Sequence, residues 1–146
     1  MKILIDADGC PVVDVTIAVA KQFKMEVVIV CDTSHMIERE YAKTILVQKG
    51  MDAVDFVIAN QVAKQDIVVT QDYGLAAMVL SKRAYGINQN GFVYTEGNID
   101  QLLFRRHVAK VARKSGERLK GPKKRTTEDD QRFREGLIKL CEVLNG

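Results

Sequence analysis

Residues 3–12 read Ile3-Leu4-Ile5-Asp6-Ala7-Asp8-Gly9-Cys10-Pro11-Val12. Three apolar residues with no polar alternation, then acids, a glycine and a proline, describe a strand covered on both faces that stops abruptly and turns into a helix. Pro11 is placed to open that helix in its first turn, and Val12 to Phe23 continue it. The unit recurs along the chain. Val27–Val30, Ile45–Val47, Ile67–Val69 and Phe92–Tyr94 are further short apolar runs, with helix-length segments between them. Asp52 to Ala63 carries Val54, Val57, Ile58 and Val62 at helical spacing, and Tyr73 to Lys82 reads as a helix ending near Gly86. This alternation predicts a three-layer α/β domain around a mostly parallel central sheet.

Beyond the last strand, Asn98 with Gln101 three residues later predicts a capping box and a helix to about Lys114. Residues 115–126 break the pattern with Gly116, Gly121 and Pro122 and read as a basic loop. Thr127 is expected to cap a C-terminal helix over 127–144, with Glu128, Asp129 and Asp130 where the dipole favours anions. Its stripe of Phe133, Leu137, Leu140 and Leu144 needs a partner surface. It is expected to dock on the sheet, making residues 1–146 one domain.

Length and composition agree with this. The chain has 146 residues, 47% hydrophobic and 28% charged, enough for a substantial core and too apolar for a disordered chain. No apolar run is long enough for a bilayer, and Asp6 comes too early for a secretory leader, so no membrane association is expected. Three cysteines without a Cys-x-x-Cys pair exclude a disulfide framework and fit a reducing cytoplasm. Net charge is +3, unevenly spread. Residues 1–104 hold 9 Lys and Arg against 13 Asp and Glu, while residues 105–146 hold 13 against 6. An acidic body with a basic tail points to a carboxylate site and a polyanionic partner.

The acids fall at strand ends. Asp6 and Asp8 follow the first strand, Asp32 the second, and Asp72 follows Ile67-Val68-Val69-Thr70-Gln71. In a parallel sheet these carboxyl ends share the edge where α/β folds bind ligands. Asp55 sits in the first turn of its helix, with Asp52 one turn earlier. If the strands of Asp6 and Asp72 are neighbours, Asp6, Asp8, Asp55 and Asp72 can converge. Such a group requires protons or cations, and oxygen ligands without His or Cys suit Mg²⁺ or Mn²⁺. The plainer reading stands beside it: an Asp after a strand is often a helix N-cap or turn residue. Asp32-Thr33-Ser34-His35 in particular reads as an ordinary polar loop.

His35 and His107 lack a partner at ligand spacing and are expected at the surface, while Cys10 and Cys31 are expected to be small buried thiols. Arg105, Arg106, Lys110, Arg113 and Lys114 lie on one helix, and Arg118, Lys120, Lys123, Lys124 and Arg125 in the loop after it. They fit either a solvated face or contacts to substrate phosphates. Aromatics are 6% and not interleaved with the cations, so no base-stacking platform is expected.

Asp6-Ala7-Asp8-Gly9-Cys10-Pro11-Val12 resembles the Asp-Ala-Asp-Ala-Cys-Pro opening of the YaiI/YqxD family of bacterial proteins. The likeness continues through Gly50-Met51-Asp52-Ala53-Val54-Asp55, Asp66-Ile67-Val68-Val69-Thr70-Gln71-Asp72, Tyr94-Thr95, Asn98-Ile99, Gly121-Pro122, and Asp129 with Phe133. Arg106 departs from it, standing where the family pattern has Asp. The family is grouped with PIN-like domains, many of them metal-dependent ribonucleases. The resemblance therefore implies a PIN-like fold in which Asp6, Asp55 and Asp72 ligate Mg²⁺ or Mn²⁺. Asp8 would bind or orient beside them, with Thr70 and Asp32 in support.

The leading expectation is a metal-dependent phosphodiesterase acting on RNA or single-stranded nucleic acid. Phosphates would be held by Arg105, Arg106, Lys110, Arg113, Lys120, Lys123, Lys124 and Arg125. Two alternatives stay open. One is a haloacid-dehalogenase-like phosphatase with Asp6 as nucleophile, which Asp6-Ala7-Asp8-Gly9 fits and the early Pro11 disfavours. The other is an RNA-binding module without turnover. A homodimer is compatible with the sequence.

Overall fold

The computed structural model describes residues 1–50, 53–114 and 124–145. Six strands and five helices follow in the order β1 (Lys2–Asp6), α1 (Val13–Phe23), β2 (Glu26–Asp32), β3 (Lys43–Val47), α2 (Ala53–Gln61), β4 (Ile67–Val69), α3 (Tyr73–Ser81), β5 (Tyr85–Ile87), β6 (Val93–Tyr94), α4 (Glu96–Lys114) and α5 (Thr127–Asn145). The sheet order is β3-β2-β1-β4-β5-β6. β1 to β5 pair in parallel, and β6 runs antiparallel to β5. Among the described residues, no helix is long and apolar enough to cross a membrane.

Alternation along the strands sorts the core into two layers. Ile3, Ile5, Val27, Ile29, Ile67 and Val69 face α1 and α5. Leu4, Val28, Val30 and Val68 face Ile58 of α2 and Leu75 and Val79 of α3. Because helices cover both faces, the strands can be apolar throughout, which is why they are conspicuous in the sequence. The C-terminal helix docks as its stripe requires. Phe133, Leu137 and Cys141 of α5 are fully buried, and Leu140 and Leu144 pack at their margin.

Several local expectations shift. β5 replaces the helix end expected near Gly86. A strand of three residues centred on glycine gives no periodic signal, and Gly86 is there because Tyr94 lies opposite it in the antiparallel register. A Cβ at Gly86 would stand 3.0 Å from Tyr94 Cδ2. α1 begins at Val13, so Pro11 belongs to the turn before it rather than to the first helical turn. The box at the start of α4 is Thr95 with Asn98, each side chain accepting from the other's backbone N–H (2.9 and 3.2 Å). Asn98 is thus its third helical residue instead of its cap. α5 is capped likewise by Thr126 and Asp129, one residue ahead of Thr127. Of the basic loop, residues 115–123 lie outside the described residues.

A close backbone approach holds α5 against the turn between β5 and β6. Gly91, at φ +84°, carries no Cβ; one placed there would lie 2.3 Å from the Arg132 carbonyl oxygen. A Cβ placed at Gly136 would likewise lie 2.8 Å from the Gly91 carbonyl oxygen. Arg125 fastens the junction, donating to Asp130 Oδ1 (2.7 Å), Asn90 Oδ1 (2.9 Å) and the Gln89 carbonyl (2.6 Å). At the opposite end of β1, buried Asp66 accepts from the backbone N–H of Lys2 (3.0 Å) and of Ala63 (2.8 Å) and from the Lys2 ammonium (2.7 Å).

Gly91→Ala should therefore cost about 2–4 kcal/mol, from strain at positive φ and the clash with α5. Thermal melting reads the loss. Buried Cys141 should react faster with a thiol reagent as α5 loosens, and an unchanged labelling rate would show that the glycine contact does not hold the helix.

Candidate functional site

The chain runs outward from β1 to β2 and β3, then returns to place β4 on the other side of β1. Loops diverge where that order reverses, leaving a crevice beyond the carboxyl ends of β1 and β4. Ile5 pairs with Val69, so the residues just past that rung face each other: Asp6 on one side, Thr70 to Asp72 on the other.

Thr70 links the two ends. Its buried hydroxyl donates to Asp6 Oδ2 (2.8 Å) and accepts from the backbone N–H of Asp72 (3.0 Å). Its carbonyl accepts from the Tyr94 hydroxyl (2.9 Å), whose ring is buried beneath the site. Burial, helped by Tyr73, Asp72 and Asp6, keeps that phenol protonated far above neutral pH, so it remains a donor. Gln71 adds an exposed tie, donating to the Gly9 carbonyl at 3.2 Å. Gly9 itself turns at φ +67°, in the left-handed region.

Asp72 combines both roles weighed from sequence. It caps α3, Oδ1 accepting from Gly74 N (2.8 Å) and Leu75 N (3.1 Å). It also lines a cavity of about 610 Å³ together with Asp6, Asp8, Asp32, Asp55 and Arg106. Asp55 reaches this wall from the first turn of α2. Asp32 accepts from Ser34 N (2.8 Å) in a local turn, and the nearby His35 is exposed, its Nδ1 3.6 Å from Asp8 Oδ1. Burial raises the pKa of Asp6 above its ordinary 3.8; the Thr70 hydrogen bond opposes this, and the charges of Asp72 and Asp8 add to it.

The convergence is to one cavity and not to one point. Among the described residues, no three His, Cys, Asp or Glu side chains are grouped to hold a metal ion. Asp72 commits Oδ1 to a helix terminus, and Asp8 lies out at the exposed rim, its side chain 60% accessible. What the wall offers is all-oxygen donors spread around a polar space. That suits a hard ion that keeps several waters and takes one or two carboxylates; it does not suit a closed protein cage.

The cations divide. Arg106 is the one cation lining the cavity among the described residues, Nη1 3.8 Å from Asp72 Oδ1. Arg105, Lys110 and Lys124 are exposed and do not line it. Arg125 is turned to Asp130, Asn90 and Gln89, where three of its five N–H donors are used within the fold, and it does not line the cavity. Lys120, Lys123, Asp52 and the side chain of Arg113 lie outside the described residues. Neither Tyr94 nor Gln71 is marked in the sequence as part of the site. An apolar strand residue gives no sign that its hydroxyl reaches another strand's carbonyl, and a loop glutamine gives no sign of its partner.

Asp6→Asn keeps an acceptor for Thr70 and removes a half-buried, repelled charge. At pH 7 it should raise the melting temperature, on the order of 2 °C. A raised folded pKa means the cost of ionised Asp6 is present above that pKa and fades as pH falls through it. The advantage of the variant should accordingly shrink in acid, and a gain independent of pH would contradict this account of the site.

The pattern described as "Uncharacterized BCR, YaiI/YqxD family" matches residues 4–143. A UPF0178 protein of Clostridium kluyveri is 49% identical over 146 residues, covering all of this chain and 95% of the relative. One from Exiguobacterium sibiricum is 54% identical over 140 residues, covering 96% of each chain, and one from Lachnoclostridium phytofermentans is 46% identical over 148 residues, covering 99% of each. No solved structure matches the chain. With its acids at the switch point and the family pattern spanning nearly every residue, the chain belongs to the YaiI/YqxD family.

Proposed function

We propose that this chain is a divalent-metal-dependent phosphodiesterase of PIN type, acting on RNA or single-stranded nucleic acid. One observation carries the reading: carboxylates from the ends of β1 and β4, linked through Thr70, border one cavity with a single arginine beside them. Asp6 and Asp72 are the residues that would hold Mg²⁺ or Mn²⁺, and Asp8 and Asp55 would act through its waters. A bound ion would supply charge stabilisation for the phosphodiester and its leaving oxygen. Thr70 fixes the Asp6 carboxylate so that it need not reorganise as charge develops. Arg106 is a loose partner of Asp72, its side chain 61% exposed, and is free to exchange that contact for a substrate phosphate. Arg105, Lys110 and Lys124 give the approach a salt-sensitive attraction for the backbone.

Asp72→Asn is the informative variant, because asparagine caps a helix as well as aspartate does while losing the charge. With single-stranded RNA and Mn²⁺, wild type should cleave and Asp72→Asn should lose about a hundredfold or more in rate. In parallel, Mn²⁺ at a hundredfold excess over its Kd should add about 2.7 kcal/mol to wild-type stability. The variant should gain much less. No cleavage by wild type, or full cleavage by the variant, ends the proposal.

The exposed cations Arg105, Arg106, Lys110 and Lys124 favour one second reading, an RNA-binding module without turnover. It predicts salt-sensitive binding, no cleavage with any divalent ion, and a larger loss of binding from Arg106→Ala than from Asp72→Asn.

A further inference from the structure

A second groove, of about 330 Å³, opens beside the acidic cavity and shares Asp55, Asp72 and Arg106 with it. Its other wall is apolar, with Phe56 of α2 and Leu75 and Met78 of α3. Phe56 is 66% exposed and Met78 41%. The helix explains why the ring faces outward. Val54, Val57 and Ile58 turn toward the sheet, and Phe56 lies off that stripe, one residue from Asp55. An aromatic ring thus stands exposed at the border of the candidate site.

We infer that this groove is a subsite for one unpaired nucleobase, stacked on Phe56, of a nucleotide whose phosphate lies against Arg106. The inference rests on the function proposed above and sharpens its substrate to splayed, single-stranded nucleic acid. The lining chooses among occupants. An aliphatic ligand would cover Phe56 and Met78 but would bury the shared carboxylates and guanidinium against hydrocarbon, a costly arrangement. A nucleobase offers a flat face to the ring and a polar edge to those charges. The shared wall puts its phosphate next to the acids without a bend away from them. A base held in a duplex cannot enter, because its faces are already stacked. The sparse, scattered aromatics of the sequence predict no stacking platform, and the inference departs from that expectation because Phe56 of α2 and Arg106 of α4 line one groove in the fold.

The probe is a single-stranded oligoribonucleotide carrying 2-aminopurine, titrated with protein in EDTA so that binding is read without cleavage. Wild type should quench its fluorescence by stacking, and Phe56→Ala should lose the quench and bind about tenfold more weakly. Phe56→Trp should restore both. Phe104→Ala, a change at another exposed ring, on α4, should leave both as in wild type. A duplex of the same sequence should fail to compete. Absence of quenching by wild type, equal quenching by Phe56→Ala, or efficient competition by duplex overturns the subsite. Cleavage with Mn²⁺, run alongside, separates the two ideas: turnover unaffected by Phe56→Ala removes the subsite and keeps the nuclease. Phe56-dependent quenching without turnover keeps the subsite and removes the nuclease.

Discussion

The Thr70 hydroxyl receives a hydrogen bond from the Asp72 amide and gives one to the Asp6 carboxylate. Everything at the carboxyl edge depends on this exchange. It is possible because β1 and β4 are adjacent, although the chain makes α1, β2, β3 and α2 between them. Thr70 is only 2% exposed, so an unmade bond here would carry close to its full desolvation cost. The Tyr94 hydroxyl braces the same residue from below through its carbonyl, coupling the antiparallel end of the sheet to the site.

The acids sit in a balance that explains the shape of the cavity. Asp6 is raised by burial and by its acidic neighbours, while Asp72 satisfies two backbone amides of α3. Arg106, reaching from α4, brings in a positive charge. Negative charge is therefore distributed around a space and not condensed at one point. Under the proposed function, a divalent ion would meet that wall with most of its own waters still in place. A groove bordered by an exposed aromatic ring continues the same wall.

Much of the layout is legible in the chain. Unbroken Ile and Val runs reveal strands covered on both faces, and the helical spacing of Val54, Val57, Ile58 and of Phe133, Leu137 marks which helix faces are buried. The strand-end aspartates stand out because the apolar runs stop at them. Short or glycine-centred elements were not legible. β5 has three residues, and the need for Gly86 arises only from Tyr94 across the ladder. Capping boxes slipped by one to three residues because Thr95 and Thr126 match the pattern as well as their neighbours do, and only backbone dihedrals choose among them.

The sequence by itself determined the longer elements, the family and which carboxylates follow the apolar runs, because those depend on local periodicity and on residues at fixed offsets. Strand order, the partner of each carboxylate and the division of the cations were decided by the tertiary structure. Arg106 and Arg125 look alike in the chain; one faces Asp72 across the cavity, and the other is used to pin α5. The reason is range. Propensity acts over a few residues, whereas the bond from Thr70 to Asp6 spans 64 positions and exists only once the crossover is made.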